Sequence, residues 1–87
     1  MEMRDIVLDG NAIGGLMQEL FGADLTAAPC VCAGCGARDE LARLDVYVHA
    51  PGVVVRCHHC ESVMIRIVRG PTRTWIDLSG TNALELG

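Results

Sequence analysis

Four cysteines carry the readable chemistry of this chain: Cys32 and Cys35 in CAGCG, then Cys57 and Cys60 in CHHCE. Each pair is C-x-x-C, and residues 36–56 separate the pairs. A C-x-x-C turn aims two sulfurs at one point and leaves backbone N–H groups free to bond them. Two such turns complete the tetrahedron that Zn²⁺ prefers, with thiolate among its best ligands. The interval is slightly longer than the usual zinc template but of the same kind. Paired disulfides are the competing use of four such cysteines. The spacing therefore predicts a structural zinc held by Cys32, Cys35, Cys57 and Cys60, with no open ligand position and so no metal-based catalysis.

The residues beside these four qualify the site. Gly36 follows Cys35 at a place where a knuckle commonly needs positive φ, which glycine adopts without strain. The equivalent residue after Cys60 is Glu61, so the second knuckle is expected to be strained or differently shaped, with the carboxylate turned to solvent. Cys30 is a fifth cysteine. It reads as a small buried apolar residue at a strand start, with redox activity or replacement of Cys32 as the alternatives. His58 and His59 lie between the second pair of ligands and are expected to be exposed imidazoles that donate toward sulfur rather than bind metal.

The elements that must position the cysteines fit one small domain spanning residues 1–87. Hydrophobic residues make up 51% of the chain, but only Phe21, Tyr47 and Trp75 are aromatic, so the core is aliphatic. A domain of this size buries a modest core and gains from a staple, and structural zinc feeds roughly 10–16 kcal/mol into folding. Residues 9–22 read as a short amphipathic helix. Asp9 or Asn11 caps it, Ile13, Leu16, Met17 and Leu20 form its apolar stripe, and Gly22 stops it. Gly14 and Gly15 weaken its interior and suggest close approach of another backbone, or a marginal helix held by packing.

LARLDVYVHA alternates, with Leu44, Val46 and Val48 on one face and Arg43, Asp45, Tyr47 and His49 on the other. Pro51-Gly52 turns the chain, and VVVRC returns it to the second cysteine pair. These two strands are expected to form a hairpin that brings the pairs together. SVMIRIVR and TRTWIDL read as further strands, Ser79-Gly80-Thr81-Asn82 as a turn, and ALEL as a short last strand. The expected fold is a small metal-stapled α+β domain: one antiparallel β-sheet, two C-x-x-C knuckles at one end and one N-terminal helix on a face. Its parts are the helix at 9–22, a core at 30–69 and C-terminal strands at 72–86.

Residues 30–69, through CAGCG and CHHC, resemble a zinc ribbon. Nearly the whole chain also resembles a family of short, uncharacterised actinobacterial proteins classed as a domain of unknown function. LDGNA, FGADLTAA, CAGCG, DVYVHAPGVVVRC and RTWIDLSG…LEL carry that likeness. It implies no established activity. What it does imply is a gene that neighbours those of a molybdenum-dependent oxidoreductase and a ferredoxin-reductase-like protein. The two knuckles also resemble those of rubredoxins, in which four thiolates hold iron. The poverty in aromatics counts against that likeness.

One face of the expected sheet collects Tyr47, His49, Arg56, Arg66, Arg73 and Trp75, of which Tyr47, Arg56, Arg66, Arg73 and Trp75 are the candidate partner-binding residues. Arginine, tyrosine and tryptophan are frequent interface anchors. The alternative is an ordinary solvated face. Nucleic acid is disfavoured, because Asp45 and Asp77 fall on the same face and the formal charge is −4, or about −6 with four thiolates and one Zn²⁺. All seven basic residues are arginine, a bias that suits a GC-rich genome. The start, MEMRDIVLDG, reads as neither a signal peptide nor a membrane span, so the expected setting is the cytoplasm. Three functions compete: a non-catalytic zinc adaptor or accessory subunit that binds another protein, a rubredoxin-like iron electron carrier accessory to an oxidoreductase, and a nucleic-acid-binding or transcriptional ribbon. An enzyme is not expected, since no nucleophile–base pair and no βαβ setting for C-x-x-C is readable.

Overall fold

The structure is a computed structural model that describes residues 7–49 and 52–85. The expected turn at Pro51-Gly52 falls partly outside them, and Gly52 opens a strand. After strand β1 (Val7–Asp9), a 3-10 turn at Gly10–Ile13 runs into helix α1 (Gly14–Phe21). The Asp9 carboxylate accepts from the Asn11 N–H and caps this entry. Gly22, at φ 74°, closes the helix in the left-handed conformation expected of it. The tight first turn has a cause. A Cβ on Gly10 would lie 1.8 Å from the Leu41 carbonyl oxygen, so the close backbone approach falls at Gly10. Gly15 has open space around it, and Gly14 meets only the Thr26 methyl.

The strands make two sheets, where the sequence led us to expect one. β2 (Pro29–Cys32), β3 (Arg38–Glu40) and β8 (Thr81–Leu84) form a three-stranded sheet in the order β3-β2-β8. β4 (Asp45–His49), β5 (Gly52–Arg56), β6 (Val63–Arg69) and β7 (Thr74–Asp77) join β1 in a five-stranded sheet, order β1-β4-β5-β6-β7. All pairings are antiparallel. A second correction concerns the chain's last turn. Thr81 and Asn82 belong to the final strand instead of the turn before it, because β8 crosses back to pair with β2. Gly80 permits that crossing, since a Cβ there would lie 1.9 Å from the Val63 carbonyl oxygen.

One core joins both sheets and the helix. Ile13 and Met17 from the helical segment, Cys30 and Cys32 from β2, Leu41, Leu44, Val46, Val55, Met64, Ile65 and Ile67 are all buried. Each large aliphatic side chain buried in this way contributes about 1.5–3 kcal/mol. Register explains the inward set: Val46 lies opposite Val55, Val55 opposite Ile65, and Ile67 opposite Ile76. Val48, expected in the core, is 52% exposed, because it lies near the far end of the β4–β5 hairpin. Arg69 on β6 binds Glu19 on α1, which puts the helix over the core-facing side of the larger sheet.

Candidate metal centre

Each cysteine pair occupies the tip of a hairpin. The first lies between β2 and β3, the second between β5 and β6. The two tips repeat the same backbone pattern. Gly36 N–H donates to the Cys32 carbonyl at 2.9 Å, and Glu61 N–H to the Cys57 carbonyl at 3.0 Å. Cys32 N–H donates to Ala37 O and Cys57 N–H to Ser62 O, each at 2.9 Å. Gly34 N–H points at Cys32 Sγ and His59 N–H at Cys57 Sγ, both at 3.3 Å. The repeat extends to burial: Cys32 and Cys57 are buried, Cys35 and Cys60 exposed. A bulge precedes or meets each tip, between Val55 and Arg56 in one sheet and Val31 and Cys32 in the other. An extra residue at a bulge bends the strand and re-aims the residues beyond it.

The tips bring their sulfurs together. The four Sγ atoms lie within 4.8 Å of one another. Across the tips, Cys32 to Cys60 and Cys35 to Cys57 are each 3.7 Å. A tetrahedron with metal–sulfur bonds of ~2.3 Å has sulfur–sulfur edges of about 3.8 Å. The residues present therefore fit a four-coordinate metal, and this cluster could hold one.

The surroundings tune the sulfurs unevenly. Ser62 Oγ lies 3.0 Å from Cys60 Sγ and 3.4 Å from Cys32 Sγ. Its hydroxyl is the main reason the Cys32 thiol falls to about 6, helped by the Cys35 and Gly34 N–H groups. The same hydroxyl, followed by the Ser62 N–H, lowers Cys60. For Cys35 the Ala37 N–H pulls downward, but desolvation and the neighbouring sulfurs of Cys57, Cys60 and Cys32 outweigh it and push the thiol up to about 12. Four adjacent sulfurs cannot all ionise cheaply without a cation among them. Ser62 escaped the sequence reading. Its signal was there: it takes in the second knuckle the place of Ala37 in the first.

Glu61 adopts φ 66°, close to the 79° of Gly36, so the second knuckle has the shape of the first and is strained rather than reshaped. Its carbonyl accepts from the Arg56 guanidinium at 2.8 Å, which pins the strained residue. His58 and His59 are exposed as expected, but their rings reach carboxylates instead of sulfur. His58 Nδ1 lies 3.0 Å from Asp45 Oδ1, and His59 Nε2 lies 2.6 Å from Asp39 Oδ2. These pairs tie the second knuckle to β4 and to β3. Cys30 is fully buried, and burial raises its thiol to about 11, the condition of an inert core residue.

The five residues singled out for partner binding share the larger sheet's outer side to different degrees. Tyr47, Val54, Arg66 and Asp77 form one row across β4 to β7. Trp75 lies opposite Val68 and is 69% exposed. The Arg56 guanidinium sits 5.6 Å from the Tyr47 ring centre, a cation–π contact, while also serving the knuckle. Arg73 lies in the exposed turn just before β7.

The described residues thus define a small α+β protein of antiparallel sheets and one α-helix, with a four-cysteine cluster able to hold a metal ion. The chain belongs to the family of unknown function DUF6510, which matches residues 2–87. No curated protein and no solved structure matches it. Among the described residues no helix is long and apolar enough to cross a membrane.

Proposed function

We propose that the protein is a non-catalytic, zinc-ribbon-like module. In this reading zinc held by Cys32, Cys35, Cys57 and Cys60 fixes two hairpins, and the larger sheet displays Tyr47, Arg56, Arg66, Arg73 and Trp75 to a protein partner, as an adaptor or accessory subunit does. The observation that carries the metal half is the matched pair of tips, which sets four sulfurs at tetrahedral spacing with N–H donors aimed at two of them. Support for the display half is the exposed Trp75 beside an arginine-bearing row that leaves the core face untouched.

The same sulfurs and donors suit iron, so metal identity is read directly: a colourless protein with one zinc per chain agrees, and a red, reversibly reduced iron protein makes it an electron carrier. For display, Arg66→Ala with Trp75→Ala is expected to keep metal content and lose capture of a protein partner from the native host. Unchanged capture moves the interface elsewhere. Strong, salt-sensitive binding to nucleic acid that the same double variant abolishes favours the nucleic-acid reading.

A further inference from the structure

β7 is the outer strand of the larger sheet, and among the described residues no strand pairs with its far side. Gly70 N–H donates to the Arg73 carbonyl at 2.7 Å, and Trp75 and Asp77 continue in register opposite Val68 and Arg66. In an antiparallel ladder, backbone bonding alternates residue by residue. Arg73, Trp75 and Asp77 therefore spend their backbone groups on β6. Thr74 and Ile76 direct theirs to the free edge. An exposed edge is normally blunted by shortness, charge or proline, and β7, with four residues, relies on its length. Arg73–Asp77 reads RTWID, with no lysine and no proline. By contrast, the β3 edge is Arg38, Asp39 and Glu40, a run of charge.

We propose that two copies of this chain pair antiparallel through their β7 edges, with a two-fold axis at Trp75. That register is the one in which Thr74 of each copy exchanges both backbone bonds with Ile76 of the other, as the free groups require. It sets Trp75 against Trp75 in a non-hydrogen-bonded pair, where side chains approach most closely. It also sets Arg73 of each copy opposite Asp77 of the other, twice. The charges are thus self-complementary, as an isologous interface demands. Asp77 is already oriented, since one carboxylate oxygen accepts from the Ser79 N–H at 2.8 Å. The pairing joins two five-stranded sheets into one of ten, and it extends the outer face without covering Tyr47 or Arg66. It is independent of the metal reading but shares Arg73 and Trp75 with the display reading, and Thr74→Pro, which changes neither residue, separates the two.

The edge is short, so association is expected to be weak and concentration-dependent, measurable by sedimentation equilibrium of the full chain over about 10 µM to 1 mM. The 9.3 kDa chain should rise toward twice its mass, with a blue shift of the sole tryptophan. Arg73→Asp or Asp77→Arg alone makes both cross-pairs repulsive and should weaken association on the order of tenfold. An equimolar mixture of the two variants should restore it, because each cross-pair is then opposite in charge. Thr74→Pro, which removes an outward N–H and leaves the β6 ladder intact, should yield a monomer with unchanged metal content. A wild-type monomer throughout the range overturns the proposal. So does a mixture that associates no more tightly than its components, or undiminished association of Thr74→Pro.

Discussion

In the first knuckle the residues between and after the cysteines are Ala33, Gly34, Gly36 and Ala37. In the second the same places hold His58, His59, Glu61 and Ser62. The backbone bonds agree residue for residue, so hairpin geometry and two cysteines suffice to aim the sulfurs. What the second knuckle adds is coupling. His58 and His59 reach Asp45 and Asp39, Ser62 reaches a sulfur of each knuckle, and Arg56 braces Glu61. The first knuckle has the room that this needs: a Cβ on Gly34 would lie 2.8 Å from Ser62 Oγ. One knuckle is bare so that the other can lean on it.

The largest expected effect treats the knuckles as equals. Cys32→Ser and Cys60→Ser, one from each, should lose metal and melt far lower to a similar extent, because structural zinc supplies roughly 10–16 kcal/mol of folding free energy. Cys30→Ser should keep the metal and lose much less, as a buried non-ligand. Equal metal loss in Cys30→Ser breaks the ligand assignment. Next come the two residues at positive φ. In denaturant unfolding of the metal-loaded protein, Gly36→Ala should destabilise by about 1 kcal/mol and Glu61→Gly should stabilise by a similar amount or less. Two losses would mean that Glu61 gains more from its surroundings than its conformation costs.

The asymmetry of the sulfurs sets a pH prediction. In the metal-free fold Cys32, at about 6, is already a thiolate at pH 7, whereas Cys35, at about 12, still holds its proton. Metal uptake at pH 7 must therefore expel protons, but fewer than four, and affinity should rise with pH as Cys35 becomes easier to ionise. Below about pH 6 the Cys32 proton adds to the competition and affinity should fall more steeply. Ser62→Ala makes the second knuckle resemble the first. It should raise the Cys32 thiol, so that more protons leave per metal bound at pH 7 and binding weakens. Calorimetry in buffers of different ionisation enthalpy counts those protons, and an unchanged count contradicts the role given to Ser62. The smallest effect is expected from His58→Ala and His59→Ala. Exposed pairs of this kind contribute less than about 1 kcal/mol, so metal content should not change.

The cysteine spacing made the cluster legible, and periodicity made the helix and the inner strands legible, because both signals are local. The second sheet left only a partial local trace, in the short last strand read at ALEL and the strand start at Cys30. β3 is a charged tripeptide that becomes a strand only by pairing with β2, and β8 joins it from some fifty residues away. The close approach of Gly10 to Leu41 was equally invisible, so the glycines at 14 and 15 drew attention that belonged to Gly10. The carboxylate partners of His58 and His59 lie 13 and 20 residues away, too far for spacing to reveal. What the alternation did convey was the division of the larger sheet into a core side and a side carrying Tyr47, Arg66 and Trp75.

The central claim is that a zinc held by the two knuckles folds this module, and thermal unfolding with metal counted before and after chelation tests it most directly. The account predicts one zinc per chain and a single cooperative transition that moves to a far lower temperature when the metal is stripped and returns when zinc is restored. A metal-free chain that melts as sharply, and at the same temperature, would contradict it.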